Sequence, residues 1–190
     1  IAWSLLSTVI NADESKVRFY KIPSAGGVPS SVISDSKGLV WFVEINSNSI
    51  NSFNPATEQF SQFEIPTTRS STTDLVIDQN GIIWFVEYDG NQIGRFDPNS
   101  KKFEEYEIPT PNSQSQRLTV GKNGDIWLTQ FAGNKVAVFN PKKRVFTEYD
   151  IPTPMSQPTG IAADHKGVIW FVETQGNNIA RLNPASGKIT

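Results

Sequence analysis

Apolar and polar residues alternate along this chain in short runs, each stopped by Gly, Asn, Asp or Pro. Residues 159–190 show the pattern: TGIAAD, a turn at HKG, VIWFVET, a turn at QGNN, IARLN, a turn at PASG, then KIT. The segment VFTEYDIP at 145–152 shows how the last of these runs continues in the preceding unit. Runs rich in β-branched and aromatic residues between turn formers read as strands. No stretch keeps apolar residues at helical spacing for three turns. The pattern predicts an all-β chain.

The runs recur in one register. Trp41, Trp84, Trp127 and Trp170 are spaced 43 residues apart, as are Pro23, Pro66, Pro109 and Pro152. Gly38, Gly81, Gly124 and Gly167 keep the same interval, and so do Pro55, Pro98, Pro141 and Pro184. A period in the low forties with four strands per unit describes a β-propeller blade. The Asn-Gly and Lys-Gly pairs suit tight hairpin turns, and the Asn/Asp-Pro pairs suit the turn that follows. In W-F-V-E, Trp and Phe fall on opposite faces of a strand, as contacts with two neighbouring blades require. The tryptophans are therefore expected to be buried between blades rather than to form a ligand platform.

Composition narrows the chemistry. With 17 Lys+Arg against 19 Asp+Glu the net charge is −2, and no basic block offers a nucleic-acid groove. The absence of cysteine removes disulfides, thiolate metal sites and cysteine nucleophiles, and the single histidine, His165, removes any site needing two imidazoles. No G-x-S-x-G, phosphate-cradling loop or H-E-x-x-H occurs. Residues 1–12, IAWSLLSTVINA, are uncharged and are followed by DESK. They read as the end of a secretory signal cut after Ala12, with an apolar strand or anchor remnant as the alternative. The expected location is extracytoplasmic, with no membrane span in 13–190 and the propeller occupying those residues.

GIIWFVEYDGNQIGRFDP, FEEYEIPTP and PTGIAAD resemble blades of the virginiamycin B lyase (streptogramin B lyase) family. They are more loosely similar to SMP-30/gluconolactonase-like and NHL-type propellers. The resemblance implies a seven-bladed ring, a divalent-metal-dependent C–O lyase that opens an ester-linked ring, and a Pro-His-[GA]-Ile motif supplying histidines beside glutamates and magnesium. About four blades are counted here. VRFYKIP at 17–23 reads as a lone fourth strand that could close a four-blade ring. The alternative is an arc of a six- to eight-bladed ring, favoured because Ile189 and Thr190 align with Phe146 and Thr147 at the start of a fourth strand. An arc would expose blade edges to a partner.

Two positions per blade are candidates for a channel face. One is the end of W-F-V-E, namely Glu44, Glu87, Gln130 and Glu173; the other is the start of the inner strand, namely Ser30, Thr73, Gln116 and Thr159, with Arg117 and Asp74 beside it. Glu44, Glu87 and Glu173 could ligate Mg²⁺ or Ca²⁺, or one could act as a base of raised pKa. The competing reading is that each Glu repeats because it bonds a neighbouring backbone or turn. The aligned Pro-His positions carry Ser30, Thr73, Gln116 and Thr159, none of them histidine, and His165 falls in an outer turn. The expected function is an exported propeller that binds a small molecule or a protein partner at its channel face. A lyase or lactonase-like enzyme is the alternative.

Overall fold

A computed structural model describes residues 17–190, which contain sixteen strands and no helix. The first blade is β1 (Pro29–Ser34), β2 (Val40–Glu44), β3 (Ser49–Asn54) and β4 (Gln59–Glu64). The second is β5 (Thr72–Ile77), β6 (Ile83–Glu87), β7 (Gln92–Asp97) and β8 (Lys102–Glu107). The third is β9 (Ser115–Val120), β10 (Ile126–Gln130), β11 (Lys135–Asn140) and β12 (Val145–Asp150). The fourth is β13 (Pro158–Ala163), β14 (Ile169–Glu173), β15 (Asn178–Asn183) and β16 (Lys188–Ile189). Each blade is an antiparallel sheet whose strands pair in chain order. The first hairpin of every blade turns on a glycine in the left-handed region, Gly38, Gly81, Gly124 or Gly167, with φ of 77–87°. A side chain there would clash with its own backbone.

Trp41, Trp84 and Trp127 pack forward onto the next blade, and Phe85, Leu128 and Phe171 pack back onto the previous one. Trp41, Val43, Ile50 and Ile65 of the first blade meet Leu75, Ile83, Phe85 and Phe96 of the second. Trp84, Val86, Ile93 and Ile108 meet Leu118, Ile126, Leu128 and Phe139 of the third. Trp127, Val136 and Ile151 meet Ile169, Phe171, Ala180 and Leu182 of the fourth. The core is thus three junctions between sheets, each about one side-chain layer thick. The strands β1, β5, β9 and β13 lie side by side along one edge of the stack and form its inner rim.

The favoured arc is what the structure shows, while the alternative of a ring closed by residues 17–23 and the burial expected for Trp170 are corrected. The rim runs from β1 to β13 without returning, so the blades form an open arc and not a closed four-blade ring. Residues 17–23 pair with no sheet; they cross the free face of the first blade, where Tyr20 lies 4.5 Å from the Phe53 ring. The fourth blade carries its own fourth strand, β16, which occupies the edge that 17–23 would have needed. Trp170 is also unlike its counterparts: Trp41, Trp84 and Trp127 are 3%, 1% and 4% exposed, but Trp170 is 38% exposed. Among the described residues no sheet packs on this face of the fourth blade. Among the described residues no helix is long and apolar enough to cross a membrane. The leader reading falls on residues 1–12, which lie outside the described residues.

Candidate functional site

The two candidate sets separate in space. Ser30, Thr73, Gln116 and Thr159 lie on the inner rim, where they lace the blades together. Ser30 Oγ donates to Thr72 O at 3.3 Å and Thr73 Oγ1 donates to Gln116 O at 3.0 Å. Thr159 O accepts from Thr129 Oγ1 at 2.7 Å, and its hydroxyl meets that of Thr174 at 2.9 Å. Between these bonds runs a charged row. Asp74 accepts from Ser31 Oγ at 2.7 Å and from the Leu118 N–H at 3.1 Å, and pairs with Arg117 Nη1 at 3.6 Å. The same Nη1 donates to Thr73 O at 3.3 Å. The Arg117 side chain is 47% exposed against 13% for Asp74, so the carboxylate is fixed and the guanidinium faces outward.

The glutamates lie off the rim, at the end of each second strand and beneath the turns. Their positions follow from strand parity: Ile83, Phe85 and Glu87 share the face of β6 that meets the first blade. Glu44 accepts from Ser24 Oγ at 2.6 Å and from Asn51 Nδ2 at 3.4 Å. Glu173 accepts from Asn178 Nδ2 at 3.1 Å. Gln130 Nε2 donates to Glu148 at 2.7 Å. All four are buried, each with a glycine backbone against it: Gly27, Gly90, Gly133 or Gly176. A Cβ on Gly90 would stand 2.9 Å from Glu87 Oε2. Among the described residues no three His, Asp or Glu side chains gather in a way that could hold a metal ion. Glu44, Glu87 and Glu173 stand one to a blade, and magnesium or calcium coordination by the three together does not fit this arrangement.

Glu87 differs from the rest. Neither carboxylate oxygen has a hydrogen-bond partner, and the neighbouring Gln92 Oε1 has none either. Burial pushes its carboxyl up to about 7, and the Glu105 charge adds to the rise. One repeat later the same places hold Gln130, Lys135 and Glu148, and the charges are matched, with Lys135 Nζ 3.2 Å from Glu148. There burial pushes Glu148 up, but hydrogen bonds from Gln130, Thr110 and Lys135 outweigh it and hold the carboxyl below its usual value. His165 is exposed in the β13–β14 turn, at the opposite end of its blade from Glu173. No imidazole reaches the rim among the described residues.

One set of residues has a structural task that turn geometry alone did not reveal. Asn48, Asn91 and Asn134 sit at φ of 50–54° in the second hairpin and clamp each blade to the segment leading to the next. Asn91 Nδ2 donates to Ile108 O at 3.0 Å, and its Oδ1 accepts from the N–H and hydroxyl of buried Ser113 at 2.9 and 2.8 Å. Asn134 makes the same bonds to Ile151 and Ser156. The recurrence of a serine 22 residues after each of these asparagines, at Ser70, Ser113 and Ser156, was the available sign.

The family model described as virginiamycin B lyase family matches residues 8–190. The chain belongs to the virginiamycin B lyase family. A catalytically inactive His-to-Ala variant of virginiamycin B lyase from Staphylococcus aureus, solved with quinupristin, is 33% identical with a TM-score of 0.84; the match covers 90% of this chain and 57% of that one. A streptogramin B lyase structure is 32% identical with a TM-score of 0.85, over 90% of this chain and 56% of that one. The extracellular domain of a hybrid two component system from B. thetaiotaomicron shares the fold at 19% identity and a TM-score of 0.70, over 88% of this chain and 25% of that one. None of the curated proteins matches. The chain therefore spans a little over half the length of the solved lyases.

Proposed function

We propose that the four blades form the ligand-holding arc of an exported propeller, gripping a polar cyclic small molecule along the inner rim. The Arg117 guanidinium carries this reading. It is held in place through one nitrogen by Thr73 O and Asp74, while its remaining N–H groups face outward. A planar donor fixed in this way suits the carbonyls of a cyclic depsipeptide. Calorimetry of the chain with quinupristin tests it. Arg117→Met is expected to weaken binding about tenfold, the effect of losing one charge-assisted hydrogen bond. Equal affinity of the variant and the parent would refute the role of the rim. Glu173→Gln, buried away from the rim, serves as the control. Mg²⁺ and Ca²⁺ are expected to bind only weakly, because the glutamates are dispersed.

A second reading, a ring-opening lyase, is favoured by family membership at about a third identity. Elimination needs a base at the proton being removed, with a pKa suited to neutral pH. Glu87 has the pKa but is enclosed between two blades, and on the rim the described residues offer no imidazole, only the Asp74 carboxylate already engaged by Ser31, Leu118 and Arg117. These blades by themselves are therefore proposed to bind without opening the ring. Export is proposed from the uncharged run before Asp13, in keeping with the extracellular domains among the structural neighbours. Mass spectrometry of the mature protein should find its N-terminus near Asp13, and a mature chain retaining residues 1–12 would refute export by cleavage.

A further inference from the structure

The repeat supplies its own controls for a cleft between the third and fourth blades, at the end of the molecule away from the glutamates. In three blades the aspartate opening the first hairpin accepts from the indole N–H six residues on. Asp35 accepts from Trp41 at 3.0 Å, Asp78 from Trp84 at 3.1 Å and Asp164 from Trp170 at 3.1 Å. The third blade has Gly121 in that place. Its backbone lies against the indole, so that an added Cβ would stand 2.7 Å from Trp127 Nε1. Trp127 thus lacks the carboxylate that its three counterparts possess.

A second departure empties the space beside it. Between the second and third blades the corresponding cleft is filled by charge: Arg95 pairs with Glu104 at 3.0 Å, Tyr106 Oη donates to Glu104 at 2.8 Å, and Arg144 reaches across to Glu104 at 2.9 Å. One repeat later Arg95, Glu104 and Arg144 become Val138, Thr147 and Gly187, while the tyrosine persists as Tyr149. The result is a cavity of about 500 Å³ between the blades. That volume is within the range of small-molecule sites. Its floor is the stacked pair of Trp127 and Tyr149, with centroids 5.9 Å apart and planes 19° apart, beside Val138. Lys122 and Lys166 come to it from facing turns. Its one acid, Asp125, is engaged by Asn140 Nδ2 at 2.7 Å. The cleft therefore offers an aromatic surface, an indole donor without its aspartate, and two ammonium groups.

We propose that this cleft binds a small monocarboxylate carried on a six-membered ring, either a sugar acid or an aromatic acid. The ring lies against Tyr149 and Val138, beside the edge of the buried Trp127. The carboxylate sits in the open part of the cleft between Lys122 and Lys166, on the side to which the Trp127 indole is turned. The site is independent of the inner rim, and its test does not involve ring opening.

The indole N–H resonances of the full chain, followed by ¹⁵N–¹H NMR and assigned with Trp127→Phe, report on it directly. Glucuronate and 4-hydroxybenzoate are the two probes and glucose is the neutral control. The Trp127 resonance should shift saturably with at least one acid, while those of Trp41 and Trp84, already bonded to aspartates, stay in place. The acid that binds identifies the ring type. Replacing both Lys122 and Lys166 by Gln should weaken binding at least about tenfold. Val138→Arg with Thr147→Glu, which rebuilds the charged filling of the previous junction, should abolish it. The proposal is overturned if neither acid moves Trp127, if glucose moves it equally, or if the lysine variant binds as the parent does.

Discussion

Trp84 and Trp170 occupy the same place in the same repeat, and they live in different surroundings. Trp84 is enclosed by Phe139 and Tyr106 at the second junction, whereas Trp170 shares an open face with Val172 and Ile179. The comparison shows that a blade's sequence encodes half of each interface, and predicts that burial at the junctions adds stability beyond that of the single sheets. Asparagine follows the same rule. Asn91 ties the second blade to the third through Ser113, while Asn177 has the same backbone conformation without such a bond among the described residues.

Truncating the two tryptophans should separate the regions most strongly. Trp84→Ala is expected to cost about 3–5 kcal/mol in urea unfolding, against roughly 1 kcal/mol for Trp170→Ala. Similar losses at both sites would mean that the junctions do not carry the stability.

The unpartnered carboxyl at the first junction should come next. The folded value of about 7 for Glu87 lies above its ordinary 4.5, so the native chain holds this proton more tightly than the unfolded one. Stability from this group is whole below pH 4.5 and falls as pH rises to about 7, by roughly 3 kcal/mol at most. Glu87→Gln, which places in the second blade what Gln130 already is in the third, should flatten that slope and raise stability at pH 8. An unchanged slope would show that Glu87 titrates normally.

Asn91→Gly keeps the left-handed turn and removes the clamp, at an expected cost of about 2 kcal/mol. Asn177→Gly should be close to neutral. Thermal melts of the two variants measure the difference, and equal shifts would reduce these asparagines to turn formers.

The fold was legible because its markers are backbone requirements: a left-handed glycine, a proline and a buried tryptophan return every 43 residues. Residues 17–23 carried a strand's composition without a strand's partner, since a run of β-branched and aromatic residues does not say which edge is free. Ser30, Thr73, Gln116 and Thr159 each follow a turn and open an alternating run, which is why their place in the inner strands is readable. For the glutamates the sequence leaves a channel role and a structural role open, and two-residue parity with Phe85 is the sign that points Glu87 into a junction. Which neighbour covers a side chain is a property of stacked blades, and one blade's pattern does not contain it. Gly121 and Val138, by contrast, are visible as breaks in the repeat, but their joint consequence required knowing that they border one cleft.

Binding of a cyclic depsipeptide without ring opening is the proposal on which the functional reading stands, the rim having no imidazole among the described residues. Incubating the chain with quinupristin at neutral pH, and separating cyclic from linear material by chromatography, tests it most directly. The account predicts a saturable complex from which the cyclic compound is recovered intact. Linear product formed by the 190-residue chain, and lost on replacing Glu87 or Glu173 by Gln, would contradict it.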